Sequence, residues 1–347
     1  MEIKIFNSEL TYLGVVDDFE SFTFVSKYNA CGNFKIKGMY TPQAKQYLVL
    51  GNIVYFNGFA GFIHSIEIEM ADGEESIVVN GYDMCGYLAR RIVWDTVNYN
   101  GNLETFIRKL VDENCISTSE ARAIPFLSLG DVSGLTETIE KQVSYMNLLE
   151  VLEETALAYD VGFSVDFSPK DKKLIFNVYK GADRTAGTAN PLIFNRDYEN
   201  ILSETYINST KQLKNVALVG GMGEGTARTF VSLGDAVGLG RYEMFVDAKD
   251  LQQSDLTDTE YKAQLFQRGT EKLADCYIVE SFEGEANTNA DFSFSLGDKV
   301  SIIDKSLNIR LDTRITAIER IIERKGTTTN LTFGNCVPTI YKKMGVY

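Results

Sequence analysis

Residue types that carry chemistry are thinly spread along this chain. His64 is the one histidine in the sequence, which leaves no partner set for a His-supported triad, a His-ligated metal or a His acid–base pair. It alternates with Phe62 and Ile66 and reads as a buried or edge histidine with a satisfied nitrogen. Glu67, Glu69, Glu74 and Glu75 could supply the carboxylate pair of a glycosidase. Glu67 and Glu69 share one strand face, however, and like charges there mark the wetted side of a sheet. Asp247, Asp250, Asp255 and Asp258 could bind calcium, but they lack the alternate-position ligands and central glycine of an EF-hand loop. They read as a solvated loop and a helix start. Gly220-Gly221-Met222-Gly223-Glu224-Gly225 follows an apolar strand as a phosphate loop would, without G-x-G-x-x-G order or a Gly-Lys-Ser/Thr ending. Thr226 to Phe230 read as a further strand, so no helix N-terminus would face a phosphate. The glycines read instead as a tightly turned loop at a subunit contact. Trp94 and the 12% of aromatic residues could build a glycan platform. Without a run of Trp and Tyr neighbours they read as core and subunit contacts. No catalytic residue, cofactor or metal is expected.

Such weak chemistry shifts attention to the frame. The 347 residues are long enough for two or three domains with real cores. Lys and Arg number 34 against 48 Asp and Glu, a net charge of −14, which argues against general nucleic-acid binding and against adsorption to anionic membranes. Cys31, Cys85, Cys115, Cys276 and Cys336 are odd in number and widely spaced, so neither a disulfide framework nor a zinc ribbon is expected, and folding in a reducing cytoplasm is. Met1 to Phe6 alternate like a strand, unlike a signal peptide. The most apolar window, Ile53 to Ile66, is broken by Asn57, Gly58, Gly61 and His64 and is too short for a membrane span.

Alternation predicts strands in the N-terminal part: Phe22, Phe24 and Ser26 oppose Thr23, Val25 and Lys27, and Phe34, Ile36 and Gly38 oppose Lys35 and Lys37. Ile66, Ile68 and Met70 alternate with Glu67 and Glu69 up to Asp72-Gly73, a hairpin dipeptide, after which Ile77-Val78-Val79 restarts. Leu103, Phe106, Ile107, Leu110 and Val111 then give a helical stripe, with Asn102 as its N-cap. A second helix is predicted from Tyr145 to Tyr159, capped by Ser144. Phe163 to Val178 read as a hairpin turning at Ser168-Pro169-Lys170-Asp171. Thr257-Asp258-Thr259-Glu260 is a capping box opening a third helix to about Ala274. Strands return from Tyr277.

The two β-rich ends repeat one another. Leu50-Gly51-Asn52-Ile53-Val54, Ile63-His64-Ser65-Ile66-Glu67, Asp72-Gly73 and Val79-Asn80-Gly81 match Leu296-Gly297-Asp298-Lys299-Val300, Ile315-Thr316-Ala317-Ile318-Glu319, Lys325-Gly326 and Thr332-Phe333-Gly334. The second copy carries extra residues from Lys305 to Asp312. Ile315, Ile318 and Ile322 alone would fit a helix; the matching first copy makes the run a strand.

These blocks also carry a family likeness. Phe22-Thr23-Phe24-Val25-Ser26-Lys27-Tyr28 with Cys31-Gly32-Asn33-Phe34-Lys35-Ile36 is one. The Leu50 and Gly61 blocks with Gly81-Tyr82-Asp83 and Leu88-Ala89-Arg90-Arg91-Ile92 are another. The run Asn215 to Gly225, with Arg228, Gly238-Leu239-Gly240-Arg241-Tyr242-Glu243 and Val246 to Asp250, and the closing Leu296 and Ile315 blocks complete it. In order and spacing the chain resembles the phage tail-hub proteins: siphophage tail-tip hubs and the baseplate hubs of contractile tails and tail-like bacteriocins.

That resemblance implies an α+β, β-dominated fold with two related tube-type β-barrel domains joined by a mixed helical and hairpin region. The domains are expected at 1–95, 96–215 and 216–347, the last with an inserted helix at about 257–274. It implies a non-enzymatic homotrimeric ring that matches a six-fold tail tube to a three-fold tip or spike, because three chains with two copies each offer six equivalent surfaces. Implied partners are the tail-tube or distal tail protein, the tape measure protein and a spike. DNA would be passing cargo only, and the chain would bind no membrane by itself. The place of action is the virion tail tip or baseplate after synthesis in the bacterial cytoplasm. Lysin and receptor-binding parts, fused to the C-terminus in longer relatives, are expected on other chains. The residues expected to matter for assembly are Gly51, Gly61, Ile63, Ile66, Gly73, Gly81, Gly220, Gly221, Gly223, Gly225, Arg241, Gly297, Ile315, Ile318, Gly326 and Gly334. A tail-associated peptidoglycan or polysaccharide hydrolase, or a receptor- or glycan-binding module, is the alternative. Net acidity would suit a bore that repels DNA phosphates.

Overall fold

The computed structural model describes residues 1–71, 74–253, 256–276, 279–287, 292–305 and 309–334. The first β unit runs β1 (Ile3–Phe6), β2 (Tyr12–Val16), β3 (Ser21–Lys27), β4 (Asn33–Met39), helix α1 (Pro42–Tyr47), β5 (Ile53–Phe56), β6 (Phe59–Ala71) and β7 (Glu74–Asp83). Phe22, Phe24, Phe34 and Ile36 are buried as the alternation requires, and they share one core with Ile77, Val79 and, from far along the chain, Ile322. The turn dipeptide Asp72-Gly73 lies outside the described residues.

The middle region holds β8 (Val97–Asn102), α2 (Leu103–Val111), β9 (Leu127–Leu129), β10 (Thr138–Val143), α3 (Leu148–Tyr159) and the hairpin β11 (Gly162–Ser168) with β12 (Lys173–Tyr179). Asn102 Oδ1 accepts from Thr105 N at 3.0 Å, so the predicted cap of α2 is in place. Helix α3 begins three residues after Tyr145 rather than at it. Tyr145 has a φ of +56°, outside helical space. Its N–H goes to Val93 O at 2.8 Å, and the cap is Asn147, not Ser144, with Oδ1 accepting from Leu149 N at 3.0 Å.

The chain continues through β13 (Asp183–Arg184), β14 (Ile193–Phe194) and β15 (Ile201–Ser209). Next come β16 (Val216–Gly220), β17 (Phe230–Leu233), β18 (Glu243–Asp247) and α4 (Asp258–Ala274), which form a small sheet-and-helix layer with its own core around Val219, Leu233, Tyr261 and Leu265. Thr257 and Glu260 make the expected capping box. The last strands are β19 (Val279–Ala286), β20 (Lys299–Asp304), β21 (Ile309–Glu323) and β22 (Gly326–Gly334). Residues 309–323, ambiguous by period, are a strand. The fold is thus α+β and β-dominated, with two related β units around a mixed helical and hairpin region.

The two units are not separate sheets. Strands run β15-β19-β22-β21-β3-β4-β7-β6-β5-β1-β2 in one continuous ladder, with β20 also on β21. Lys141 of β10 and Glu271 of α4 form a buried ion pair at 2.7 Å, which ties the small layer to the middle region.

Candidate functional site

The repeated blocks build the same local structure twice. Gly51 and Gly297 both take left-handed backbone, at φ +83° and +89°, where a side chain would be strained. Gly51 N donates to Ile63 O at 3.0 Å, and Gly297 N to Ile315 O at 2.9 Å. The reciprocal bonds follow: Ile63 N to Asn52 O and Ile315 N to Asp298 O, each 2.9 Å. One residue later each hairpin bulges, at His64 between Ile63 and Ser65 and at Thr316 between Ile315 and Ala317. A bulge leaves one residue unmatched and sharpens strand twist. The neighbours agree as well: β3-β4-β7-β6-β5 in the first unit corresponds to β15-β19-β22-β21-β20 in the second, antiparallel throughout.

The ladder corrects the sequence pairing of the return strands by one residue. Gly81 lies opposite Ile63, but Phe333, not Gly334, lies opposite Ile315. Gly334 pairs with Arg314, and Gly326 opens β22 opposite Glu323. Ile66 pairs with Val79 and Ile318 with Leu331. Gly61 and Gly81 sit on neighbouring strands beneath the Phe34 ring, where a Cβ at either would collide with it. Gly73 lies outside the described residues.

Where the copies meet, β3 lies antiparallel on the second half of β21, from Ala317↔Lys27 to Glu323↔Ser21. The first half of that same β21 edge is taken by β20. The matching edge of β6 is taken by β5 only from Phe59 to Phe62. Among the described residues no strand covers it from Ser65 to Ala71, and β15 ends the strand path at the other side. Burial follows this difference. Ile322 is 1% exposed beside β3, whereas its counterpart Met70 is 72% exposed. Ile68, Leu202 and Ile207 are likewise exposed. Charge differs too: Lys35 and Lys37 of β4 correspond to Glu283 and Glu285 of β19.

The glycine loop binds its own chain. Arg228 folds back, donating from Nε to Gly221 O at 2.9 Å and from Nη2 to Gly220 O at 2.7 Å. Of the strand expected from Thr226 to Phe230, residues 226–229 are not strand. A 3₁₀ turn at Gly225–Ala227 follows the bend at Gly223, and β17 starts only at Phe230. Arg241 pairs with Glu243 at 2.5 Å and donates to Ala236 O at 2.9 Å, which braces a loop exposing Val237 and Leu239.

The remaining chemical candidates are scattered. His64 is exposed on its bulge, not buried, with its ring 5.0 Å from that of Tyr82. Trp94 is exposed beneath the Arg122 guanidinium at 4.7 Å. Asp247 is held by Arg228 and Asp250 by Arg268. Asp255 lies outside the described residues, as does Cys336. Among the described residues no group of three His, Cys, Asp or Glu side chains converges as a metal cradle. A cleft of about 550 Å³ between the first unit and the β11–β12 hairpin contains Asp83, Ser133, Asp166 and Asn177. Two of its carboxylates are engaged, Asp83 by Gly32 N at 2.6 Å and Cys85 N at 2.9 Å and Asp166 by Asn177 at 2.8 Å, and Asp131 lies exposed at its rim. Burial raises the Asp83 carboxyl above the usual range and the Cys31 and Cys85 thiols well above theirs, opposite to an activated nucleophile.

Sequence reasoning missed three buried polar anchors: Arg314 with Asp160, Lys141 with Glu271, and Glu104, whose carboxylate accepts from Ser133, Gly134 and Leu135 N–H groups at 2.7–3.0 Å. The one available signal was a charged residue on an apolar stripe, as at Glu104.

Comparison with known proteins gives the same architecture. The family model described as Siphovirus ReqiPepy6 Gp37-like protein matches residues 2–335. No curated protein matches the chain. Among solved structures, the chain is similar to the 43 kDa tail protein of prophage MuSo2 from Shewanella oneidensis, with TM-score 0.60, 13% identity and coverage of 97% of this chain and 99% of that one. A tail protein from Neisseria meningitidis MC58 matches at TM-score 0.56 and 13% identity, covering 96% of each chain. The prophage tail protein gp18 from Listeria monocytogenes EGD-e matches at TM-score 0.56 and 16% identity, covering 99% of this chain and 97% of that one.

Proposed function

This chain belongs to the Siphovirus ReqiPepy6 Gp37-like protein family, and from that premise we propose that it is a structural phage-tail protein serving as the hub of the tail tip or baseplate. Three copies would form a ring that adapts a six-fold tube to a three-fold tip or spike. The observation that carries this reading is the side-by-side pairing of two equivalent β units through β3 and β21. A chain with two such units supplies two modules to a ring, and three chains supply six. The proposed tube-type modules are 1–95 and a second one built from 183–209 and 279–334, with 96–182 and the small layer at 216–276 outside them.

Its partners in this role are the tail-tube or distal tail protein, the tape measure protein and a spike, with DNA as passing cargo. The polar face of the large sheet suits a bore: beyond the bulges, Glu67, Glu69, Glu283, Glu285, Glu319 and Glu323 outnumber Lys27, Lys35 and Lys37 on it, and excess negative charge repels phosphate. No catalytic role is assigned, because Asp83 and Asp166 of the cleft are engaged and the Cys85 thiol is buried.

Electron cryomicroscopy of tails carrying a tagged copy tests the proposal. Three tags in one ring at the distal end of the tube support it. A tag on the tube shaft, on a fibre or in another copy number rejects it.

A further inference from the structure

We infer that the middle region carries a sugar-binding platform, on which the rings of Trp94 and Tyr145 stack against successive units of a neutral, β-1,4-linked hexopyranose chain. Such a site goes beyond the hub role and does not depend on it. Trp94 is the one tryptophan of the sequence and has no aromatic residue next to it. The fold supplies one from far along the chain. A bridge between Ile92 and Asn147 sets two segments antiparallel. Val93 N donates to Met146 O at 2.9 Å, and Tyr145 N to Val93 O at 2.8 Å. Counting two residues along each segment from the bridge brings Trp94 across from Tyr145. Trp94 is 55% exposed and Tyr145 70%. Among the described residues neither ring belongs to a hydrophobic core.

Both rings are nevertheless held in place. Arg122 covers one face of the indole, with its guanidinium 4.7 Å from the ring centre, and the exposure of Trp94 leaves the other face open. Arg122 Nη2 donates to Ile92 O at 3.0 Å and to Asn114 Oδ1 at 3.1 Å. Asn114 Oδ1 also accepts from Trp94 N at 3.0 Å, and its Nδ2 donates to Leu110 O at 2.9 Å. Asn114 is buried in a π-helical turn, Asp112–Ile116, that continues α2. Such turns recur at functional sites. Tyr145 has left-handed backbone at φ +56°, a conformation that persists in a bulky residue only where its surroundings impose it. A buried amide, a π-turn and a strained residue thus converge on two rings left in water.

The chemistry selects the ligand. The face of an aromatic ring is negative. A pyranose with equatorial substituents turns its weakly positive C–H bonds toward its two flat faces, and β-1,4 linkage keeps successive rings extended. Two neighbouring aromatic rings can therefore each take one sugar. A shallow contact of this kind cannot repay the ordering of mobile side chains, so rings fixed beforehand suit it. Arg122 Nε–H has no bond among the described residues and can meet a hydroxyl at the edge of the platform. The net charge of −14 disfavours phosphate- or sulfate-bearing polymers, which leaves neutral ones.

Trp94 reports on its own site. Full-length protein titrated with cellohexaose or with the N-acetylglucosamine hexamer should show tryptophan emission moving to shorter wavelength and saturating, as stacked sugar displaces water from the indole. Half-saturation is expected near about 1 mM, as for a shallow contact. Tyr145→Ala should weaken binding about tenfold through loss of one ring contact, while keeping the Trp94 signal. Alanine retains the Cβ, so the backbone strain is unchanged, and the ring it removes is exposed, so folding is not at stake. Maltohexaose, whose α-linked chain curls, should bind about tenfold more weakly. A saturable shift with either β-linked hexamer, weakened in Tyr145→Ala, supports the site. No shift with either hexamer overturns it, as does an equal response in Tyr145→Ala or to maltohexaose. A shift that follows protein concentration in the absence of sugar also overturns it and assigns the rings to a contact between chains. Copy number in the tail is a separate measurement, so the sugar site and the hub can fail independently.

Discussion

Arg314 Nε donates to Asp160 Oδ1 at 2.7 Å, joining the second β unit to the C-terminal end of α3. The same guanidinium stacks over the Tyr28 ring at 5.1 Å and reaches Gly297 O. One side chain therefore holds together the repeated Leu-Gly turn, the end of β3 and the helical region. Replacing Arg314 by Met should cost about 3–5 kcal/mol, because it strands a largely buried carboxylate and a carbonyl. Denaturant melts would show this as a lower midpoint. A loss below about 1 kcal/mol would mean the pair is solvated in solution.

Lys141 and Glu271 are 5% and 1% exposed at their side chains, with Thr155 Oγ1 accepting from Lys141 Nζ at 3.1 Å. Removing one charge leaves the other buried and alone, whereas removing both can be nearly neutral. Lys141→Met is therefore expected to destabilise by about 3–5 kcal/mol, and Lys141→Met with Glu271→Leu by much less. The double-mutant cycle measured by chemical unfolding reads the coupling directly.

Gly81→Ala should destabilise by roughly 1–3 kcal/mol through overpacking against the Phe34 ring and Phe62 O. Gly51→Ala meets nothing within 4 Å; its cost, about 1 kcal/mol, comes from the left-handed backbone alone. Thermal unfolding of the two variants side by side should therefore rank Gly81→Ala lower. A reversed order would show that the Phe34 ring moves aside.

Glu204 titrates in an unusual place. Burial first, then the hydrogen bond and charge of Asp304, lift its carboxyl from the ordinary 4.5 to about 7, while Arg196 at 2.5 Å opposes the shift. A raised folded-state value means that its stabilising contribution is complete below pH 4.5 and is lost as pH rises through about 7. Glu204→Gln should flatten the decline of melting temperature between these limits. Parallel curves for both proteins across that window would remove Glu204 as the cause.

Much of this frame is legible from residues alone. The Asn102 cap and the Thr257–Glu260 box announce α2 and α4, since both motifs act within a few residues. Helix α1 is too short to show a period, and its only signals are the Thr41 cap and Pro42. The start of α3 misleads because the positive φ at Tyr145 answers to Val93, far back in sequence. The repeat is readable through its Leu-Gly turns, yet glycine alone does not mark register, and the ladder moves Gly334 one place from Gly81. That no described strand lies beside Ser65 to Ala71 of β6 is invisible in sequence, because alternation shows which side chains face a core and says nothing of which strand lies alongside. Long-range anchors such as Arg314 with Asp160 are equally hidden, being set by the meeting of three elements.

Lys35 and Lys37 stand where the second unit has Glu283 and Glu285. Inside the chain, Glu323 and Lys37 flank Ser21 in one row across the β3 junction. Two strand spacings are about 10 Å, comparable to the screening length at 0.1 M salt. The charge complement across the seam between the two units therefore acts in dilute salt and fades as salt is added, leaving the shared core and the ladder to hold the units together.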